Sequence, residues 1–235
     1  MKEKIYLIPG LMTDERLWSR LLPLLENDYE LKHFKIPHTD DFDEIINILD
    51  EKIGDEKINL FGFSLGGYIA SYFAIKNPKK VKRLFLCSAT PSATVKENVT
   101  KRRKKLLDAK QNNFPFLSFQ KAQKLLEVKN DDELVQIVAS MFNELGKNVY
   151  IPQLSSTLKR VELEKEFINL DMPIRFFYSL NDRLLNYTSI DKLLNKKNNI
   201  QLISREGTSH NIPLEFPKQL SIEIRKWFNQ KSDEK

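Results

Sequence analysis

The chain has 235 residues, with 38 basic and 32 acidic side chains, a formal net charge of +6, 41% hydrophobic content and one cysteine. This is a globular rather than a disordered composition, long enough for one large domain or one domain carrying an insertion, and it excludes an internal disulfide. Only a short apolar run precedes Pro9-Gly10, and no later run reaches spanning length, so neither a signal peptide nor a membrane span is expected. The expectation is a cytoplasmic protein with Cys87 in its core.

In chain order, residues 4–9 (KIYLIP) read as a strand, and residues 14–25 as a helix with Leu17, Trp18, Leu21, Leu22 and Leu25 at helical spacing. Residues 31–36 read as a strand and 42–53 as a helix opened by the acids of DDFDE. Residues 57–63 form a buried strand, 65–76 a helix stopped by Asn77-Pro78, and 81–88 another buried strand. This alternation predicts a mostly parallel sheet with helices on both faces. From Pro91 to Leu170 the rhythm breaks into helical patterns with charged faces. It resumes with a strand over 173–179, a helix over 188–194, a strand over 199–204 and a helix over 217–228. The expected organisation is a core of residues 1–90 and 171–235, with a helical lid insertion over 91–170.

Glycine is scarce, seven in the whole chain, yet NLFGFSLGGY places three of them around Ser64. Gly62-Phe63-Ser64-Leu65-Gly66 matches G-x-S-x-G between a buried strand and a helix, the context of a nucleophile elbow. There the serine sits on a strained turn, and glycines let strand and helix backbones cross closely. The partners should follow in the order acid, then histidine. Asp182 follows the strand PIRFFYS in YSLNDR, and His210 follows the strand IQLIS in REGTSH. A histidine can take the serine proton, and a carboxylate can fix its tautomer. Asp191 falls inside a helix and Asp171 before a strand, which makes both weaker candidates for the triad acid. His33 and His38 read as surface or loop residues. An oxyanion hole would use the amide of Leu65 and, from the turn after the first strand, that of Leu11. Five of the seven glycines (Gly10, Gly62, Gly66, Gly67 and Gly207) lie in the loops that would surround this centre.

These segments (LIPGLMTDERLW, GFSLGGYIA, VKRLFLCSA, YSLNDRLL and GTSHNIPLEFP) resemble the α/β-hydrolase superfamily over nearly the whole chain. Within it the chain is similar to small carboxylesterases that include the pimeloyl-carrier-protein methyl ester esterases of biotin synthesis. The resemblance implies an α/β-hydrolase fold, a triad of Ser64, Asp182 and His210, and oxyanion donors Leu11 and Leu65. Pro9-Gly10 stands where many members have His-Gly, and the leading hairpin usual before the first strand is missing.

In the insertion, Phe114, Phe116, Phe119 and Phe142 would line an acyl pocket or pack its helices onto the core. The run KRRKK at residues 101–105 is a solvated helix face or a docking surface, through Arg102, Arg103, Lys104 and Lys105, for an acidic partner such as an acyl carrier protein. No nucleic-acid-binding pattern accompanies it. The expected activity is hydrolysis of a small-molecule or carrier-bound carboxylic ester through an acyl-enzyme, with no metal or organic cofactor. A lyase or thioesterase on the same fold, or a non-catalytic ligand- or carrier-binding module, are the alternatives.

Overall fold

The computed structural model describes residues 2–194 and 196–230. Strands β1 (Glu3–Ile8), β2 (Tyr29–His33), β3 (Ile58–Phe63), β4 (Val81–Cys87), β5 (Ile174–Ser179) and β6 (Ile200–Arg205) form one sheet in the order β2-β1-β3-β4-β5-β6. Every pairing is parallel. The early connections carry α1 (Leu22–Leu25), α2 (Phe42–Ile53) and α3 (Leu65–Lys76). Between β4 and β5 lie α4 (Lys96–Lys110), α5 (Phe119–Leu125), α6 (Asp132–Leu158) and α7 (Glu164–Phe167). Then come α8 (Tyr187–Leu193), α9 (Ile212–Glu215) and α10 (Pro217–Phe228).

The central strands are hydrophobic on both faces, because each face carries its own layer of helices. Tyr6, Ile8, Leu60, Leu84, Leu86, Ile174 and Phe176 pack under α2, α3, α7 and α8. Their alternates Ile5, Leu7, Phe61, Phe63, Phe85, Cys87 and Phe177 pack under α1, α9 and α10, joined by Leu134, Val135 and Met141 of α6. The period of two along a strand assigns each residue to its layer. Helix α3 is central, with Gly66, Gly67, Tyr68, Ile69, Ala70, Phe73 and Ala74 all buried. The single cysteine, Cys87, is buried as expected.

The connection order switches direction beside β1, which has β2 on one side and β3 on the other. In open parallel sheets such a switch leaves a crevice beyond the carboxyl ends of the strands. The register lines those ends up, pairing Ile8 with Gly62, Phe63 with Cys87, and Ser179 with Arg205. The loops after β1, β3, β5 and β6 therefore leave from one edge of the sheet.

Two expected elements differ. Residues 14–25 form a short 3₁₀ turn (Glu15–Trp18) and the one-turn α1 rather than a single helix. Pro23, which lacks an N–H, stands at the start of α1 and cannot continue a helix from the preceding turn. The apolar spacing still served burial, since Leu17, Trp18, Leu21 and Leu25 are at most 1% exposed. The second strand is Tyr29–His33, earlier than residues 31–36, because the chain leaves β1 after Phe34 donates to the Leu7 carbonyl. Among the described residues, 91–170 contain helices and no strand. Helix α6 is broken at Gly146, whose φ of 65° and ψ of −171° are not helical.

One buried ion pair fastens β5, the strand that leads to Asp182, to α10. Arg175 donates from Nε to Oε2 of Glu223 at 3.1 Å, also from Nη2 to the same oxygen, and from Nη1 to Gln201 of β6. Lys226 donates to the other Glu223 oxygen at 2.7 Å. Burial opposes ionisation of Glu223, but the bonds from Lys226 and Arg175 outweigh it and hold the carboxyl below its ordinary range. Removing one partner would strand a buried charge. We expect Glu223→Ala to cost roughly 3–5 kcal/mol in urea unfolding, and Arg175→Met with Glu223→Leu to cost much less. A single-variant cost below about 1 kcal/mol would show the pair to be dispensable.

Candidate active site

The turn between β3 and α3 decides where Ser64 points. Its backbone has φ 52° and ψ −113°, a left-handed conformation that a non-glycine residue adopts at a cost of order 1–3 kcal/mol. The turn is held from both sides. Ser64 N donates to the Cys87 carbonyl at 3.0 Å, while its own carbonyl accepts from Gly67 N at 3.1 Å and Tyr68 N at 3.3 Å. A Cβ on Gly66 would collide with the carbonyl oxygens of Ile8 and Pro9, and one on Gly62 with the backbone of Gly66 and Gly67. Only glycine lets α3 cross the ends of β1 and β3 this closely.

His210 and Asp182 arrive from the loops after β6 and β5. His210 Nε2 lies 2.9 Å from Ser64 Oγ, and His210 Nδ1 lies 2.6 Å from Asp182 Oδ2. The other Asp182 oxygen accepts from Leu184 N at 2.9 Å, and the carboxylate is 1% exposed. A carboxylate accepts only, so the imidazole proton sits on Nδ1 and Nε2 is left to accept from the serine hydroxyl. The structure thus brings Ser64, Asp182 and His210 into one hydrogen-bonded chain. Asp171 instead pairs with Lys197 at 2.9 Å, and Asp191 lies in α8. His33 is not at the surface. It lies partly buried in β2, where Nδ1 accepts from Trp18 Nε1 at 3.1 Å and burial pushes its pKa down.

The histidine loop has a support that no motif announced. Glu127, from the segment between α5 and α6, accepts from Thr208 N at 2.6 Å and Ser209 N at 2.7 Å. Its two oxygens also receive a fork from Arg205, at 3.0 Å each. The Arg205 bond and the two amides hold the Glu127 carboxyl below its ordinary range against a burial penalty. Glu215 of α9 completes the clasp, accepting from the amides of Glu127 at 2.5 Å and Val128 at 2.9 Å and from the Ser209 hydroxyl. Burial pushes its pKa up. Ser179 Oγ donates to the Ser209 carbonyl at 2.7 Å, and Asn181 N to the Gly207 carbonyl at 2.9 Å, tying the two loops together. A charged residue inside a helical insertion gave no sequence signal for this work.

The turn after β1 is set just as firmly. Gly10 N donates to Thr13 Oγ1 at 2.8 Å, and Met12, at φ 56°, donates its amide to the buried Gln153 Oε1 of α6 at 2.8 Å. Between them the Leu11 amide has no protein acceptor among the described residues. Leu65 is the first residue of α3, where helical amides have no intrahelical partner. Beside this turn a cavity of about 210 Å³ is lined by Pro9, Thr13, His33, His38, Val149 and Gln153, none of them in the triad. Among the described residues no three of His, Cys, Asp and Glu converge as a metal site.

The expected pocket residues divide. Phe114 and Phe142 stack at 5.3 Å and meet Tyr150 edge-on, in an apolar cluster shared with Leu11 and Met12. Phe116 is 69% exposed, and Phe119 packs against the core beneath α10, so neither lines that cluster. On α4, Arg103, Lys104 and Lys105 are exposed. Arg102 turns inward, against the reading of a single exposed run, with Nη1 enclosed and without a hydrogen-bond partner.

Comparison with known proteins agrees with this architecture. A family model described as the alpha/beta hydrolase fold matches residues 8–217. A thermophilic esterase from Thermogutta terrifontis superimposes with a TM-score of 0.82 at 17% identity, over 97% of this chain and 90% of its own. An enol-lactonase from Burkholderia xenovorans gives 0.83 at 13% identity, over 98% and 92%. MenH from S. aureus gives 0.80 at 19% identity, over 97% and 93%. A search of the curated proteins finds no match. With the family pattern running through both parts of the sheet, from the end of β1 to the start of α10, the chain belongs to the α/β-hydrolase fold family.

Proposed function

We propose that the protein is a serine hydrolase that cleaves carboxylic esters through an acyl-enzyme. One observation carries the reading: the Ser64–His210–Asp182 hydrogen-bonded chain, built on a strained turn. Ser64 Oγ attacks the ester carbonyl while His210 Nε2 takes its proton and then returns it to the departing alkoxide. Asp182 holds the imidazole in the working tautomer and offsets the charge on the imidazolium. The Leu11 and Leu65 amides, with the positive end of α3, receive the oxyanion. Water then attacks the acyl-enzyme by the same route reversed. Residues 91–170 act as the cover, with Phe114 and Phe142 on its apolar inner side.

Ser64→Ala and His210→Ala should each lower turnover of a p-nitrophenyl ester by ~10³-fold or more with the fold intact. Asp182→Asn should keep the geometry, favour the wrong tautomer and also lose orders of magnitude. Near-normal activity in any of these would show that the chain of bonds is not the catalytic machinery. A fluorophosphonate that labels the parent at Ser64 separates the hydrolase from a binding module, and ester turnover separates it from a lyase.

Glu127 acts in this scheme as a positioning residue for His210. Glu127→Gln keeps the size but weakens the Arg205 fork, so kcat should fall about tenfold with KM little changed, and Glu127→Asp should recover part of the loss. The folded pKa of Glu127 lies below its unfolded one. Its contribution is therefore complete above the ordinary carboxylate range and vanishes as pH falls through the lowered value. Loss of Tm with kcat unchanged would make the clasp structural only.

A carrier-borne acyl ester, such as the pimeloyl methyl ester, is a substrate that the exposed Arg103, Lys104 and Lys105 would favour by steering an acidic carrier. Replacing all three by glutamine should lower kcat/KM for the carrier-bound ester about tenfold at low salt, an effect screened at high salt. The small ester should be indifferent. Equal change for both substrates would leave the run as a solvated helix face.

A further inference from the structure

Several arginines that are partly or fully withdrawn from water in this protein have acidic partners. Arg16 meets Asp14 and Glu144, Arg20 meets Asp131, Arg175 meets Glu223, and Arg205 meets Glu127. Arg102 and Arg160 do not. Arg102 Nη1 and Arg160 Nε are both enclosed, and neither nitrogen has a hydrogen-bond partner among the described residues. Burial and the facing charge of Arg102 push the Arg160 pKa down to about 9. Burial also pushes the Arg102 pKa down. A guanidinium nitrogen enclosed without an acceptor or counterion is costly, and two of them persist only where something else is gained.

Their surroundings connect them to the candidate active site. The Arg160 guanidinium lies 4.9 Å from the centre of the Tyr68 ring. Tyr68 is on the first turn of α3, and its amide bonds the Ser64 carbonyl. The Tyr68 hydroxyl accepts from Val161 N at 2.9 Å and donates to the Val161 carbonyl at 3.2 Å, which fixes the segment carrying Arg160. Arg102 stands one turn before Leu106 on α4, and Leu106 joins Tyr150 in the cluster that contains Leu11 and Met12. Arg160 thus connects to the Ser64 turn through Tyr68, and the face of α4 next to Arg102 connects to the Leu11 turn through the Tyr150 cluster.

We propose that Arg102 and Arg160 form an anion subsite for a carboxylate carried by the substrate, so that the ester cleaved is a half-ester of a dicarboxylic acid or a similar carboxylate-bearing ester. A planar guanidinium matches a carboxylate with paired hydrogen bonds, and the enclosed nitrogens are left without any other acceptor. Arg160 is already oriented by the Tyr68 face. The inference rests on the hydrolase reading only for which bond is cleaved; the binding site stands apart from it.

Two measurements separate the two. In the Ser64→Ala variant, monomethyl adipate and monomethyl suberate should raise Tm in a saturable way, and dimethyl adipate should not. Adding Arg160→Gln or Arg102→Gln should weaken half-ester binding by roughly tenfold or more. In the parent, kcat/KM should favour p-nitrophenyl hydrogen adipate over p-nitrophenyl methyl adipate by about 10²-fold. Each arginine variant should lose most of that preference while hydrolysing the neutral ester within about twofold of the parent. The best chain length reports the span from Ser64 to the pair. Failure to turn over either ester with half-ester binding intact removes the hydrolase reading and leaves the subsite. Equal handling of charged and neutral esters, binding that survives both arginine substitutions, or a response to inorganic phosphate instead of the half-esters would overturn the subsite. Arg160→Met in the free protein should leave Tm unchanged or higher; a fall of several degrees with ester preference unchanged would make Arg160 structural.

Discussion

Everything in this protein that bears on chemistry depends on the close crossing of α3 over the ends of β1 and β3. The crossing is possible because Gly62 and Gly66 leave no side chain between backbones that a methyl group would force apart. It obliges the chain to turn within one residue, and Ser64 takes the left-handed conformation that results. A residue held in such a conformation needs surroundings that over-determine it. Here they are the Cys87 carbonyl on one side and the first amides of α3 on the other. The same crossing starts α3 at Leu65, directly after Ser64.

The second dependence runs from the helices between β4 and β5 to the loops of the sheet. Glu127 gathers Thr208 and Ser209, and Gln153 accepts from Met12. These are bonds of long sequence separation, and each replaces a backbone partner that a loop cannot supply for itself. A segment that only covered a pocket could dock by apolar contact alone. This one also fixes the backbone beside His210 and beside Leu11, so displacing it would loosen both.

What the sequence shows and what it hides follow the range of the interactions involved. The strand-helix rhythm, the elbow glycines and the order Ser64, Asp182, His210 are local signals, each set by a few neighbouring residues. The helices over 42–53, 65–76 and 217–228 fall where their apolar spacing puts them. The helix over 14–25 fails because spacing records burial and not backbone continuity, and Pro23 interrupts the latter. Glu127, Gln153 and Arg205 are invisible for a different reason. Their partners lie at the far ends of long connections, and a lone Glu or Gln on a helical insertion looks like solvated surface. Arg102 is subtler still, because it sits in KRRKK, where four exposed neighbours disguise one side chain that turns inward.

The contrast among buried arginines gives the distinction physical content. Arg175 and Arg102 are both charged side chains drawn away from water, and the chain treats them differently. Arg175 serves the fold and is satisfied within it, by Glu223 and by Gln201. Desolvating such a pair is tolerable because each charge supplies the other's missing solvation. Arg102 Nη1 and Arg160 Nε have no such acceptor, and Arg160 lies against Tyr68, an aromatic ring that offers a cation only part of what water did. A Glu at a neighbouring α4 or α6 position would have neutralised them as Glu223 does Arg175. Such an internal partner would also compete with any carboxylate entering from outside, so an unsatisfied pair is what a binding site for an anion requires and what a structural pair avoids.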